Sequence, residues 1–400
     1  MSNRKIQALF ASQRSRLLSK PRALKDYKAI DAIVHCRTPK LGAHYYECEQ
    51  GHRVEQPHSC RHRSCYVCAQ RARSQWVDRQ QQRLFDTPHF HVIFTLPHEY
   101  LVLWRYNEAW FARALFEASQ RSLQQLLMQE EHGGFRPGIL MSLHTWGRQL
   151  SLHPHTHCLV TAGGVTKSGA WRESGEYLLP VAVLKAVYRG KVQALLKQAF
   201  EDGELRLPPS MTEPEFRSLH RSVYQKAWSV RIEERYNHGR GVLLYLARYC
   251  KGGPLNPAQL LGSTHQRVLL RYFDHRTRQQ QVLTLSPEQL CERLLWHVPA
   301  VGVHTIRYYG LYASAATMNR ACRGMPGRLV VTARQDVDTV DLLQCRSCGG
   351  MLHCVGVRWP GDVRKGNSLY KEETSGIGAG GSVQQVVEVG IASGARINSS

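Results

Sequence analysis

The chain has no uninterrupted apolar run of about 18 residues, so no segment is expected to cross a membrane as a helix. Residues 1–28 are basic and broken by charge throughout, without the apolar stretch of a signal peptide. Acid is scarce: 31 Asp and Glu stand against 53 Lys and Arg, for a net charge of +22. A chain this basic favours a polyanionic partner, held through phosphate contacts and counterion release. Residues 371–400 contain no aromatic residue and are rich in Gly, Ser and Ala, a composition that reads as a disordered tail. No internal repeat is evident. Without a secretory segment, the twelve cysteines are expected in a reducing cytoplasm, where short-spaced Cys and His read as metal ligands rather than disulfides.

What is present is ordinary globular composition, 42% hydrophobic and 21% charged, over a length of 400 residues that suggests two or three domains. A helix is expected over Ile6–Leu18 and a polar, basic helix over 70–86. Strands are expected at Phe90–Pro97, at Ile139–His144 and at His155–Ala162, the last stopped by Gly163 and Gly164. Helical patterns cover 101–130, Ala182–Phe200, Ser218–Glu233 and Gly241–Lys251, with a proline-containing connection at 205–216. Arg267–Asp274 and Gln279–Leu285 read as paired strands. Strands flanked by helices, mostly outside βαβ repeats, predict an α+β architecture. The composition divides the chain into a basic segment 1–80, a core 81–325, a small Cys-containing segment 326–360 and the tail 361–400.

Between Cys36 and Cys68 the sequence is dense in metal-ligating residues. Cys48-x3-His52 precedes Cys60-x4-Cys65-x2-Cys68. Zn2+ takes four tetrahedral Cys and His ligands from short-spaced knuckles. Cys65 and Cys68 make one knuckle. Cys48 and His52 make a candidate second, with Cys60 competing as a fourth ligand and His58, His62 and Cys36 as lower-ranked alternatives. Buried structural cysteines are the bland reading, but the Arg- and Gln-rich surroundings leave little apolar surface to bury them. Arg61, Arg63, Arg71 and Arg73 surround this region and suit a phosphate backbone. A second Cys-x2-Cys, Cys345 and Cys348, has only His353 and Cys354 nearby and reads as half a zinc ribbon lacking its partner.

Two further motifs carry chemistry. On a strand, residues i and i+2 share a face, so His155 and His157 project together and can hold a divalent ion, with a third ligand from elsewhere that the sequence does not identify. His89-Phe90-His91 has the same spacing and competes as a decoy. Tyr245 and Tyr249 share a helix face at i, i+4. Two phenols there can act in turn as nucleophiles on a phosphodiester, with Arg248 and Lys251 neutralising the phosphate.

Taken together, these residues resemble the HUH-type rolling-circle transposases of bacterial insertion sequences, the two-tyrosine branch related to helitrons. The resemblance covers roughly residues 28–315. Its anchors are Cys36-Arg37-Thr38-Pro39, the stretch Ser59 to Cys68, His91 to Pro97, Leu143-His144-Thr145-Trp146-Gly147, His153-Pro154-His155-Thr156-His157, Tyr245-Leu246-Ala247-Arg248-Tyr249, and Ile306 to Leu311. Many relatives have Cys-x2-Cys where this chain has Cys48 to His52, and the C-terminal tail has no counterpart in the family pattern.

The resemblance implies a ferredoxin-like nuclease core, an antiparallel sheet with helices, behind a small zinc-binding domain. It implies His155 and His157 as ligands of Mg2+ or Mn2+, Tyr245 and Tyr249 as nucleophiles, and Zn2+ in the N-terminal domain. The implied partners are single-stranded DNA at insertion-sequence ends and target DNA, in the bacterial cytoplasm beside the nucleoid. Two other readings compete. One is a replication initiator or relaxase using the same chemistry; the other is a zinc-dependent DNA-binding protein without catalysis.

Overall fold

The computed structural model describes residues 2–81, 83–237, 253–274, 277–313, 326–327 and 344–360. The expected helix Gly241–Lys251, with Tyr245, Arg248, Tyr249 and Lys251, lies outside them, as does the tail 361–400. The described residues form an α+β fold whose sheets are antiparallel.

A central sheet positions the candidate site. Its order is β11 (Ile306–Gly310), β4 (Phe135–Trp146), β5 (Leu152–Thr166), β3 (His89–Thr95) and β7 (Val230–Tyr236), with β6 (Trp171–Glu173) on the far end of β5. Alternation along these strands sorts the side chains onto two faces. Phe90, Val92, Phe94, Ile139, Met141, Leu143, Cys158 and Val160 fill one face. They pack with helices α5 (Glu108–Leu127) and α6 (Val181–Glu201), whose Phe111, Leu115, Phe116, Leu184, Tyr188 and Val192 belong to the same buried core. The residues between them, including His91, His144, His155 and His157, point to the opposite face.

Several boundaries differ from the sequence expectation, each for a local reason. β5 does not stop at Gly163 and Gly164 but runs to Thr166. Gly163 adopts φ +148, and a Cβ on Gly164 would lie 2.2 Å from the Arg136 carbonyl oxygen, so glycine is required by close strand approach rather than by a turn. The helix expected over Ser218–Glu233 starts earlier and ends sooner, as α7 (Glu213–Gln225). Thr212 and Glu215 form a capping box ahead of it and Pro214 sits in its first turn. Val230 and Ile232 then alternate with Arg231 as β7, at the edge of the sheet beside β3. The pattern over 101–130 is broken in two, because Asn107 leaves the helical region between α4 (Leu101–Trp104) and α5.

A second core forms around the N-terminus. α1 (Ser2–Leu18) buries Ile6, Leu9, Phe10 and Leu17, and α2 (Leu24–His35) buries Ile30 and Ile33. Gln7 on α1 donates to the carbonyls of Val34 (3.0 Å) and Cys36 (2.7 Å), satisfying the frayed end of α2. The same core takes residues from the sheet β10 (Gln279–Leu285), β9 (Val268–Asp274), β8 (Leu260–Ser263), and from α8 (Pro287–Leu295). Lys25 on α2 joins the two cores: its Nζ lies 2.8 Å from Glu108 Oε1 on α5 and 2.8 Å from the Val298 carbonyl oxygen.

Beside this core lies a small sheet of β12 (Leu352–Arg358), β1 (Ala43–Cys48) and β2 (Arg53–Pro57). The C-terminal strand therefore pairs with the N-terminal hairpin, Cys48 opposite Leu352 and Ala43 opposite Arg358. α3 (Tyr66–Gln81) begins inside the Cys65–Cys68 knuckle, four residues before the expected helix start, and leads from the N-terminal region toward β3.

Candidate metal centres

The histidine cluster arises from strand register. His144 on β4 lies directly opposite His155 on β5, and directly opposed residues of an antiparallel pair share a face. His157 follows two residues along, so three imidazoles converge, with ligating nitrogens within 4.8 Å of one another. Nε2 of His155 and Nε2 of His157 are 3.0 Å apart. His144 and His157 are buried, and His155 is half-buried. The third residue of this triad, His144, was in the sequence as part of Leu143-His144-Thr145-Trp146-Gly147 but had no spacing signal of its own. Only the pairing of β4 with β5 reveals it.

The outer nitrogens of the two β5 histidines are engaged. Nδ1 of His155 is 2.6 Å from the His153 carbonyl oxygen, which can only accept, so this nitrogen carries the proton and leaves Nε2 as a lone pair. Nδ1 of His157 is 2.8 Å from Nε2 of His91. Burial, followed by the nearby His144, holds His155 and His157 neutral well below the ordinary histidine range. Neutral imidazoles fixed by a hydrogen bond on the far nitrogen are the form that coordinates a metal. Trp146 stacks on His144 with centroids 4.2 Å apart. Of the competing His89-His91 pair, His91 supports His157, while the fully buried His89 places Nε2 2.7 Å from the Tyr312 hydroxyl. The decoy thus splits into two supporting roles.

The cysteines separate into two groups. Cys36, Cys60, Cys65 and Cys68 form one, all four sulfurs within 4.8 Å. The Sγ separations Cys36–Cys68 and Cys60–Cys68 are 3.4 and 3.7 Å. Tetrahedral zinc with bonds of about 2.3 Å places its sulfurs about 3.8 Å apart, so the four thiols fit such an ion. Hydrogen bonds from the Cys60 and Cys65 thiols pull the Cys36 thiol down to about 7. Cys36, ranked low in the sequence, enters this group because α2 ends at it. Cys48 and His52 do not join Cys65 and Cys68. They meet Cys345 and Cys348 instead. The C-terminal knuckle, expected to lack a partner, therefore has one.

Of the basic residues assigned to nucleic acid, Arg61 is exposed and adopts φ 52, and Arg73 is half-buried. Arg63 donates from Nη1 to the Val303 carbonyl oxygen at 2.8 Å, so part of its hydrogen-bonding capacity is spent inside the protein. The Arg71 side chain, like Arg248 and Lys251, lies outside the described residues.

A four-cysteine cluster ahead of an α+β core, with three convergent imidazoles on the face of its central sheet opposite α5 and α6, defines a zinc-binding protein with a candidate catalytic metal centre. Residues 8–96 match a family model described as "Transposase zinc-binding domain", and residues 138–320 match one described as "Putative transposase". The chain is 33% identical over 313 residues to "Putative transposase y4qJ" of Sinorhizobium fredii, covering 76% of this chain and 79% of that protein. It is 31% identical over 315 residues to the "Transposase for insertion sequence element IS801" of Pseudomonas savastanoi pv. phaseolicola, covering 74% and 71%. No solved structure matches it. The chain belongs to the IS91 family of insertion-sequence transposases with an N-terminal zinc-binding domain. No helix among the described residues is long and apolar enough to cross a membrane.

Proposed function

We propose that this transposase cleaves and rejoins single-stranded DNA through 5′-phosphotyrosine intermediates, in the manner of rolling-circle transposition, on a ferredoxin-like HUH core. The observation that carries the reading is the convergence of His144, His155 and His157 on the sheet face opposite the packed helices α5 and α6.

The triad would hold Mg2+ or Mn2+. An octahedral ion with bonds of about 2.1 Å places adjacent ligands about 3.0 Å apart, which accords with the 3.0 Å between the His155 and His157 Nε2 atoms. Such an ion, when bound, polarises a phosphate oxygen and draws charge off the transition state.

The remaining roles fall to the chain's own residues. Tyr245 or Tyr249 attacks phosphorus through its phenolic oxygen, the bond from phosphorus to the 3′ oxygen breaks, and a free 3′-hydroxyl leaves with the proton. Attack by a 3′-hydroxyl on the phosphotyrosine reverses the sequence and frees the phenol. Two tyrosines allow two linked transfers without release of the strand. Arg248 and Lys251 neutralise phosphate beside them, and Arg61, Arg63, Arg71 and Arg73 hold the backbone of the DNA. The substrates are single-stranded DNA at the element ends and the target strand.

The test is direct. The protein is incubated with labelled single-stranded DNA spanning an element end, with Mg2+ or Mn2+. The reading expects a protein–DNA adduct that survives denaturation. Tight binding with no adduct under any divalent metal would favour a non-catalytic DNA-binding protein.

A further inference from the structure

We propose that the chain holds a second structural zinc ion at Cys48, His52, Cys345 and Cys348, and that this ion clips the C-terminal strand onto the N-terminal hairpin. The matched zinc-binding region, residues 8–96, contains only two of these four ligands. The other two lie about three hundred residues further along the chain.

Four donor atoms gather within 4.8 Å, three of them sulfur. Cys48 Sγ lies 3.6 Å from Cys348 Sγ and 3.4 Å from Nδ1 of His52. Tetrahedral zinc, with bonds of about 2.3 Å to sulfur and about 2.0 Å to nitrogen, expects edges of roughly 3.5 to 3.8 Å. The two sulfurs are too far apart for a disulfide, whose bond is about 2.05 Å. Three thiolates and an imidazole form a donor set that suits zinc rather than Mg2+ or Ca2+.

Each pair of ligands is presented by a tight turn. In the first, the Gly51 N–H donates to the Cys48 carbonyl at 2.8 Å, and Gly51 adopts φ +75. In the second, the Cys345 N–H donates to the Gly350 carbonyl at 2.8 Å and the Gly349 N–H to the Cys345 carbonyl at 2.7 Å, with Gly349 at φ +74.

The need for a staple is equally clear. Among the described residues the apolar cluster here consists of Cys48, Cys345 and Leu352, with Tyr46 and Cys348 packed against it. So small a core cannot hold two distant chain segments, and a metal supplies the missing folding energy. The rest of the contact is already shaped for it. A Cβ at Gly42 would lie 2.1 Å from the Arg358 carbonyl oxygen, and Trp359 lies against His58 with ring centroids 5.6 Å apart. On this assignment the C-terminal knuckle is an integral part of the N-terminal zinc module.

The experiment measures zinc per chain by elemental analysis in the full-length protein and its variants, each checked for folding by circular dichroism. Cys345→Ser with Cys348→Ser should retain one zinc fewer than the parent. Cys48→Ser should lose that same ion, and combining all three changes should lose no more. Cys60→Ser with Cys65→Ser should remove a different ion, so its loss adds to the first. Full zinc content in the Cys345→Ser/Cys348→Ser variant overturns the proposal. So does a Cys48–Cys348 disulfide found by mass spectrometry in place of the metal. His52→Cys provides a test that keeps a complete ligand set. It should retain the zinc, and after cobalt exchange its thiolate-to-metal absorption should rise, because one nitrogen has become a sulfur. Unchanged absorption would place His52 outside the site and refute the ligand set.

Discussion

Nε2 of His91 lies 2.8 Å from Nδ1 of His157, so a histidine on β3 fixes the ring of a candidate metal ligand on β5. The two are set side by side by strand pairing, His91 opposite Leu159, the next residue on the face that carries His157. This contact orients the His157 ring so that its Nε2 faces Nε2 of His155. His91→Ala should therefore weaken metal binding by about 10- to 100-fold, the usual cost of losing such a partner. Cleavage should recover at raised Mn2+ concentration. A metal titration with the same midpoint as the parent would show that the contact does not tune the site.

Removing a ligand is a different matter. His144→Ala, His155→Ala and His157→Ala should each abolish strand cleavage at any metal concentration, while binding of single-stranded DNA is largely retained. Binding is read by filter retention and cleavage on a denaturing gel. Full cleavage by His144→Ala would remove it from the triad and leave the third ligand to be found elsewhere.

The tyrosine pair is tested by adduct mapping. A phenol is a weak nucleophile near neutral pH because its pKa is about 10, so it needs alignment with an activated phosphate. Tyr245→Phe and Tyr249→Phe should each block transposition in cells, whereas a single cleavage on an oligonucleotide should survive in one of them. The double variant should form no covalent adduct. Tyr308 is a poor substitute, since its hydroxyl is bound to Gln80 Oε1 at 2.8 Å, and burial pushes the Tyr309 phenol up. An adduct that mass spectrometry maps to either of them would move the nucleophile off the proposed helix.

Two buried histidines away from the triad predict acid sensitivity. Burial lowers His89 and His297 to about 4, against about 6.5 in an unfolded chain. Between these values the unfolded chain binds a proton that the native protein refuses, so stability rises with pH. Their contribution is fully present above about pH 6.5 and is lost as pH falls toward 4, at up to about 1.4 kcal/mol per pH unit for each histidine. Urea unfolding followed at several pH values should show this slope, and His89→Phe should make it shallower. An identical slope in the variant would mean that His89 does not control it.

Much of the architecture could be read from local pattern. The apolar runs Phe90–Pro97 and Ile139–His144 read as buried strands, and the central sheet holds them in β3 and β4. The paired strands at Arg267–Asp274 and Gln279–Leu285 are found as β9 and β10, with β9 starting one residue late. The errors fall where a neighbour rather than the local pattern decides. Gly163 and Gly164 look like a stop but continue β5 because adjacent backbone crowds them. Residues 230–233 look helical beside α7 but become strand because the edge of β3 offers hydrogen bonds.

The sequence by itself determined which residue types were available for chemistry. Cys-x2-Cys and His-x-His spacings report ligands because a knuckle or a strand presents neighbours i, i+2 or i+3 on one side, whatever surrounds them. It also determined the basic charge, which needs no fold to act on a polyanion. Only the tertiary structure decided which ligands share a site. His144 reaches His155 through the register of β4 on β5, Cys36 reaches Cys68 through the end of α2, and Cys48 reaches Cys348 through the pairing of β1 with β12. Metal sites are built from atoms a few ångströms apart, and chain distance carries no information about that once the chain has folded back on itself.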